Sequence, residues 1–137
     1  MTGQILRNNF DLNDKYTLID GKIVLSGIQA LVRLLLDQHR ADLIAGLNTA
    51  TLVSGYRGSP VGVLDLNLIR NKKILDEHNV KFIPGVNEDL GATMIYGSQM
   101  ANMVSKVKYD GVLGMWYGKA PGVDRSGDIF RHANFLG

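Results

Sequence analysis

The alternation of short apolar segments with helical patterns is the feature that most constrains how this chain can fold. The apolar segments cover residues 51–54, 80–83 and 111–116, and each has the length of a strand buried within a sheet. Between them, helical patterns cover roughly residues 63–77 and 88–104. Strands that alternate with helices form βαβ units, so we expect an α/β fold with a parallel sheet and helices on both faces.

A turn signal organises the residues near the start of the chain. Asp20-Gly21 lies between residues 16–19 and 22–25, and this dipeptide between two short apolar segments predicts a β-hairpin after a polar lead-in. We therefore divide the chain into an N-terminal arm and hairpin, residues 1–25, and a single domain, residues 26–137.

A capped amphipathic helix is predicted directly after that hairpin. Ser26 is a good N-cap, because its hydroxyl can accept a hydrogen bond from the first helical turn. The pattern predicts a helix as far as about Ala45, and Gly46 is the residue type that commonly ends helices. Apolar residues recur between them at the spacing of one helix face: Ile28, Leu31, Val32, Leu35 and Leu36.

Composition excludes several classes of protein. Fifteen basic against thirteen acidic residues give a net charge of +2, which is too balanced for the concentrated basic surface of a nucleic-acid binder. The chain has no cysteine, so it holds neither an iron–sulfur cluster nor a cysteine-ligated zinc ion. No apolar stretch approaches the ~20 residues of a membrane span, and the first residues lack a targeting signal. We expect a cytoplasmic protein that binds neither membrane nor nucleic acid.

Three loops are expected to meet at the carboxyl edge of the sheet, where ligands bind in open α/β folds. They cover residues 55–60, 84–89 and 118–127. Two phosphate-binding patterns are nearly present, at residues 58–62 and at Gly118-Lys119, but neither has the spacing that such motifs require. Tight turns remain the simpler explanation of these glycines.

The charged residues of these loops are the candidate site residues. Glu88 follows the second strand at the start of a helix, where an acidic residue can either act in catalysis or simply favour the helix dipole. Arg57, Lys119 and Arg125 are cations near the same edge. The histidines have no metal-ligand spacing, and we expect them at the surface or at helix ends: His39, His78 and His132.

Several blocks of this sequence, in order and spacing, resemble a known family. The blocks are LSGIQALVRLLLDQ, GLNTATLVSGYRGSPVGVLD, PGVNEDLGATMIYGSQ and KYDGVLGMWYGKAPGVDRSGDIFRHAN. They resemble the amino-terminal part of indolepyruvate ferredoxin oxidoreductase, in the 2-oxoacid:ferredoxin oxidoreductase family, from about Lys15 to Gly137. The resemblance implies a thiamine diphosphate-binding fold, specifically its pyrimidine-type domain.

The resemblance also implies an activity and assigns roles to residues. The family oxidatively decarboxylates indolepyruvate or another arylpyruvate to an acyl-CoA, and ferredoxin accepts the electrons. Glu88 matches the catalytic glutamate that hydrogen-bonds N1′ of the cofactor's pyrimidine. Gly55 and Tyr56 match cofactor-binding positions. Ser59 and Arg57 match positions near the substrate. Lys119 and Arg125 match a loop whose cations would steady the substrate carboxylate or a cofactor phosphate.

Departures from the family pattern indicate a fragment. The Gly-Asp-Gly signature that holds magnesium and the diphosphate is missing, because Gly127-Asp128 is followed by Ile129. The cysteines for iron–sulfur clusters are missing as well. We therefore expect a pyrimidine-binding domain truncated at its C-terminal end, with no metal site of its own. Its partners would be the remainder of the parent enzyme, which is expected to be a homo-oligomer, with coenzyme A and ferredoxin.

Two other functions stay open at this stage. The domain could belong to a non-redox thiamine-dependent 2-oxoacid decarboxylase, since the pyrimidine half of the site is common to both reaction types. Alternatively, it could be a non-catalytic domain that binds a nucleotide or serves in assembly, because doubly wound sheets commonly take nucleotides at their carboxyl edge.

Overall fold

The fold is α/β and is built on a three-stranded parallel sheet, as the sequence predicts. The computed structural model describes residues 11–58, 61, 63–104 and 106–136. Its strands are β1 (Thr49–Gly55), β2 (Val80–Phe82) and β3 (Gly111–Tyr117), in the spatial order β2-β1-β3. The helices are α1 (Asp14–Thr17), α2 (Gly27–Ile44), α3 (Val63–Arg70), α4 (Lys72–Glu77), α5 (Glu88–Gln99), α6 (Ala101–Val104), α7 (Ala120–Arg125) and α8 (Gly127–Leu136).

The capped helix after residue 25 is confirmed. Ser26 Oγ accepts a hydrogen bond from Gln29 N at 3.3 Å, and Gln29 Oε1 accepts one from Ser26 N at 2.9 Å, which together form a capping box. Gly46 follows the helix with a φ of +79°, a left-handed conformation that glycine adopts without strain. The apolar face of α2 buries Val32, Leu35 and Leu36 in the core.

The expected hairpin around Asp20-Gly21 is wrong. Tyr16 lies in α1, and residues 18–26 form no strand. Two arginines of α2 hold this segment instead: Arg33 donates hydrogen bonds to the carbonyls of Lys15 and Leu18, and Arg40 donates to that of Tyr16. These bonds satisfy backbone carbonyls that a hairpin would pair with a second strand.

Helices cover both faces of the sheet, as expected. On one face, Val53 of β1 packs with buried residues of α2 and α3, among them Leu36 and Leu64. On the other face, α5 contacts β1 and β3. The approach of α5 is close, because a Cβ on Gly114 of β3 would lie 2.6 Å from Ile95 Cγ2.

Each of the two long helices that the sequence predicts between the strands is divided into two shorter ones. The helix expected over residues 63–77 is divided at Asn71 into α3 and α4, and that expected over 88–104 is divided at Met100 into α5 and α6. The loop expected over residues 118–127 is also wrong, since α7 occupies most of it. No helix in the part of the chain that the structure describes is long and apolar enough to cross a membrane.

Strand order and helix placement define a crevice at the carboxyl edge. The chain leaves β1 toward α3 on one face of the sheet and leaves β3 toward α7, which contacts α5 on the other face. Adjacent strands whose connections diverge in this way open a crevice beyond their carboxyl ends, and ligands of doubly wound folds bind there.

Candidate functional site

The loops after β1 and β2 and the start of α5 meet at the carboxyl edge. Gly85 N donates a hydrogen bond to Gly55 O at 2.9 Å, and Tyr56 forms a parallel bridge with Gly85. Trp116 of β3 reaches the same place, because its Nε1 donates to the carbonyl oxygen of Glu88 at 3.2 Å. The sequence prediction that chemistry-bearing segments converge at this edge is therefore confirmed for these residues.

Glycines bring the first turns of α5 into close contact with β1. A Cβ on Gly91 would lie 3.2 Å from Ser54 Oγ and 3.5 Å from Gly55 Cα. A Cβ on Gly85 would meet Asn87 O at 2.7 Å. This close approach holds the start of α5 directly above the end of the sheet.

Glu88 is the first residue of α5 and is half-buried. Asn87 caps the helix, since its Oδ1 accepts a hydrogen bond from Leu90 N at 2.8 Å. The Glu88 side chain lies against α7, where a Cβ on Gly122 would come within 2.5 Å of Glu88 Cγ and 3.1 Å of Oε1. Among the described residues no hydrogen bond or ion pair engages the Glu88 carboxylate, so it can still accept a hydrogen bond from a ligand.

An ion pair between Arg125 and Asp89 links α7 to α5. Arg125 Nε donates to Asp89 Oδ2 at 2.6 Å, and this bond raises the pKa of Arg125, with a smaller contribution from the charge of Glu88. The Arg125 side chain remains 56% exposed, whereas Asp89 Oδ1 is buried without a hydrogen-bond partner in the part of the chain that the structure describes. The structure thus places Arg125 on the helix that covers Glu88, with one of its guanidinium nitrogens already engaged.

The remaining sequence-predicted residues lie around the same edge. Lys119 is exposed directly before α7, and Arg57 is exposed in the loop after β1. Tyr56 is also exposed, and its ring lies against Gly58, where a Cβ would meet Tyr56 Cε1 at 2.7 Å. Gly55 is buried against Tyr117, whose carbonyl oxygen would lie 2.5 Å from a Cβ there. Ser59 lies outside the described residues.

The sequence did not predict a buried, hydrogen-bonded pair of side chains below the crevice. The Tyr117 hydroxyl at the end of β3 donates a hydrogen bond to Asp65 Oδ1 in the first turn of α3, and both side chains are buried. Burial raises the pKa of Tyr117, and so do the hydrogen bond and charge of Asp65, while the charge of Arg57 acts in the opposite direction. The only sequence signal was an acidic residue at a helix start, because the two partners lie far apart along the chain.

The sequence also did not predict the buried hydroxyl of Ser54. Ser54, next to Gly55 at the end of β1, is fully buried, and its Oγ has no hydrogen-bond partner among the described residues. A buried polar atom without a partner is unusual in a folded protein. Its position against Gly91 ties it to the close contact between β1 and α5.

Among the described residues, no cluster of metal-ligating side chains marks the carboxyl edge. Within residues 11–58, 61, 63–104 and 106–136, no group of three or more His, Asp or Glu side chains could hold a metal ion. A cavity of about 470 Å³ lies instead at the opposite end of β3, beside Gly111 and Val112 and the polar residues Gln99 and Lys108. No protein-family model, curated protein or solved structure matches this chain.

Proposed function

We propose that this chain supplies the aminopyrimidine-binding half of a thiamine diphosphate site in an indolepyruvate-type 2-oxoacid:ferredoxin oxidoreductase. The observation that carries the proposal is the position of Glu88. It is a half-buried glutamate at the start of α5, at the carboxyl edge of a parallel sheet, and its carboxylate is uncommitted among the described residues. In the family that the quoted sequence blocks resemble, a glutamate after the second strand hydrogen-bonds the pyrimidine, and Glu88 is the residue that matches it.

The residues at the edge fit the ring half of such a cofactor. Gly122 leaves room for the Glu88 side chain, and buried Gly55 keeps the end of β1 free of a side chain. Glu88 Oε1 or Oε2 would hold the proton shared with the pyrimidine ring. The start of α5 would stabilise the ionised carboxylate through the helix dipole. When bound, thiamine diphosphate supplies the carbanion that cleaves 2-oxoacids.

The exposed cations at the edge suit an anionic substrate. Lys119 and Arg57 are both exposed near the crevice, and a 2-oxoacid brings a carboxylate that either could pair with. Arg125 would hold α7 against α5 through its ion pair with Asp89, and its positive charge would also attract the substrate. The diphosphate, magnesium, iron–sulfur clusters and coenzyme A would be handled by the remainder of the parent enzyme, and ferredoxin would receive the electrons.

Ligand titration of the chain, followed by amide NMR, tests the proposal directly. Thiamine diphosphate with Mg²⁺ should bind weakly, and it should shift the amides of Gly55, Gly85 and Glu88. Glu88→Gln should remove most of that shift, whereas Glu77→Gln, on α4 away from the edge, should leave it intact. Identical titrations of the wild type and Glu88→Gln would overturn the assignment. Stronger shifts with ATP than with thiamine diphosphate would favour a nucleotide-binding domain instead.

Activity in the intact parent enzyme gives the second test. Glu88→Gln there should lower turnover roughly a hundredfold or more, in line with the loss of a general acid–base residue. Turnover within a few fold of the wild type would contradict a catalytic role. A decarboxylase without redox chemistry would release aldehyde without reducing ferredoxin, so product analysis separates the two reaction types.

A further inference from the structure

Two aspartates of this chain directly precede a glycine, Asp20 and Asp110. An aspartyl residue before glycine is prone to isomerise, because its side-chain carboxyl carbon reaches the next backbone nitrogen and glycine has no Cβ to shield that nitrogen. No asparagine in the chain precedes a glycine, so deamidation at such a pair does not compete. Whether either pair reacts therefore depends on how tightly the fold holds its carboxyl group and the nitrogen that follows.

The fold leaves the Asp20-Gly21 pair unconstrained. Both residues are exposed, in a bend between α1 and α2. Within the described residues, neither the Asp20 carboxylate nor Gly21 N takes part in a hydrogen bond. Gly21 has a φ of +117°, a conformation that favours glycine over every other residue. The bend thus requires the residue type that leaves its own nitrogen unshielded.

The fold holds the Asp110-Gly111 pair in place. Asp110 Oδ2 accepts a hydrogen bond from Asn48 N at 2.7 Å, and Asp110 N donates to Asn48 O at 2.9 Å. Gly111 is the first residue of β3 and pairs with Thr49 of β1. Reaction there would require the start of β3 to separate from β1 first. The chain therefore contains a protected pair of the same chemistry, which serves as an internal control.

We propose that Asp20 is a site of spontaneous isomerisation to isoaspartate in the folded chain. Gly21 N attacks Cγ of the Asp20 carboxyl group and forms a bond to it, while the amide proton and one carboxyl oxygen leave in a molecule of water. The product is a five-membered succinimide ring. Water then opens the ring: cleavage of the new bond restores aspartate, and cleavage of the original peptide bond leaves the chain running through Cγ. The overall reaction is an isomerisation, and it does not depend on the proposed function.

The modified chain should stay folded. Isoaspartate lengthens the backbone by one methylene, but the contacts that hold the neighbouring residues lie on either side of it. Arg33 donates to Leu18 O at 2.6 Å, and the capping box begins at Ser26. Between these two points the chain is loosely packed, since Val24 is 91% exposed. Residue 20 would then present its former backbone carboxyl group at the surface, which is the group that isoaspartyl carboxyl methyltransferases methylate.

Peptide mapping of the folded chain, aged at neutral pH, tests the proposal. Trypsin releases the two pairs on separate peptides, residues 16–22 and 109–119. Isoaspartate, detected by enzymatic carboxyl methylation of each peptide, should accumulate at least roughly tenfold faster at residue 20 than at residue 110. In urea the two rates should converge, because unfolding releases Asp110 from Asn48. Equal rates in the folded chain, or no isoaspartate at residue 20, would overturn the proposal.

Asp20→Glu is the matched variant, because it keeps the negative charge but needs a larger ring to react. It should abolish the isoaspartate signal of the folded chain, whereas Asp110→Glu should leave that signal at the wild-type level. A signal that persists in Asp20→Glu would place the reaction at another residue and contradict the assignment. The thermal midpoint of the aged chain should match that of the fresh chain, and an aged chain that unfolds would contradict the tolerance argued for this segment.

Discussion

The Glu88 side chain occupies the space that a side chain on residue 122 would need: a Cβ on Gly122 would lie 2.5 Å from Glu88 Cγ. The contact joins α7 to the first turn of α5, and the Arg125–Asp89 ion pair fastens the same two helices. The conformation of the candidate catalytic carboxylate is therefore set by a glycine on a separate helix. Substitutions at this contact test how closely the position of Glu88 depends on α7.

Gly122→Ala should displace either Glu88 or α7. Overpacking a contact of this kind costs about 1–3 kcal/mol of unfolding free energy, and urea unfolding measures it. The variant should also lose the cofactor-induced shift of the Glu88 amide. Gly127→Ala is the control, because a Cβ there would meet nothing within 4 Å. Equal unfolding free energies for both variants would show that the contact yields without cost.

Arg125→Ala should loosen α7 more than it destabilises the chain. The ion pair with Asp89 is solvent-exposed on the arginine side, and such pairs add little to global stability. Hydrogen exchange of the α7 amides should become several-fold faster, while the thermal midpoint barely changes. Arg131→Ala, on α8, serves as the comparison. Unchanged hydrogen-exchange rates in α7 would mean that the packing around Gly122 holds the helix without the Arg125–Asp89 ion pair.

Stability should fall below neutral pH because of His39. Its side chain is buried, contrary to the surface or helix-end position that the sequence predicted. Burial lowers the pKa of His39 from 6.5, His78 and Arg40 lower it further, and Asp42 opposes them. The unfolded chain therefore takes up the proton first as the pH falls below 6.5, and the folded state loses stability until His39 is itself protonated.

Urea unfolding at a series of pH values tests whether His39 causes this loss of stability. His39→Gln should flatten the loss of unfolding free energy below pH 6.5, because the residue that titrates differently in the two states is gone. His132→Gln should leave the loss intact, since the His132 side chain is 64% exposed. A profile that is equally steep in both variants would place the pH dependence elsewhere.

Tyr117→Phe should leave the buried Asp65 carboxylate without its phenolic donor. The unpaired group should cost about 1–3 kcal/mol of unfolding free energy, and Asp65→Asn in the same chain should recover part of it. In the wild type, the raised pKa of Tyr117 predicts that stability is lost as the pH rises above 10, where the unfolded chain releases that proton first. Tyr117→Phe should reduce this alkaline loss, and an unchanged loss would contradict the pairing.

Part of the candidate site could be predicted because it depends on strand ends. Glu88 and the residues around Gly55 follow apolar segments, and parallel strands bring their carboxyl ends to one edge whatever the helices do. The Tyr117–Asp65 pair could not be predicted in this way, because it depends on the angle at which α3 leaves β1. The engagement of Arg125 likewise depends on where α7 settles on α5.

The sequence by itself determined the elements whose signals are local. Ser26 and Gln29 begin α2 through hydrogen bonds within one turn, Gly46 ends it, and three apolar segments become the strands of a parallel sheet. Tertiary structure decided that residues 120–125 form a helix rather than a loop, because that helix packs against Glu88 and Asp89 despite the glycine at its centre. It likewise replaced the expected hairpin with α1, since Arg33 and Arg40 bind the carbonyls of Lys15 and Tyr16 from 18 and 24 residues further along the chain. Local hydrogen bonds can be read along the chain, whereas contacts between distant segments exist only once the sheet has brought them together.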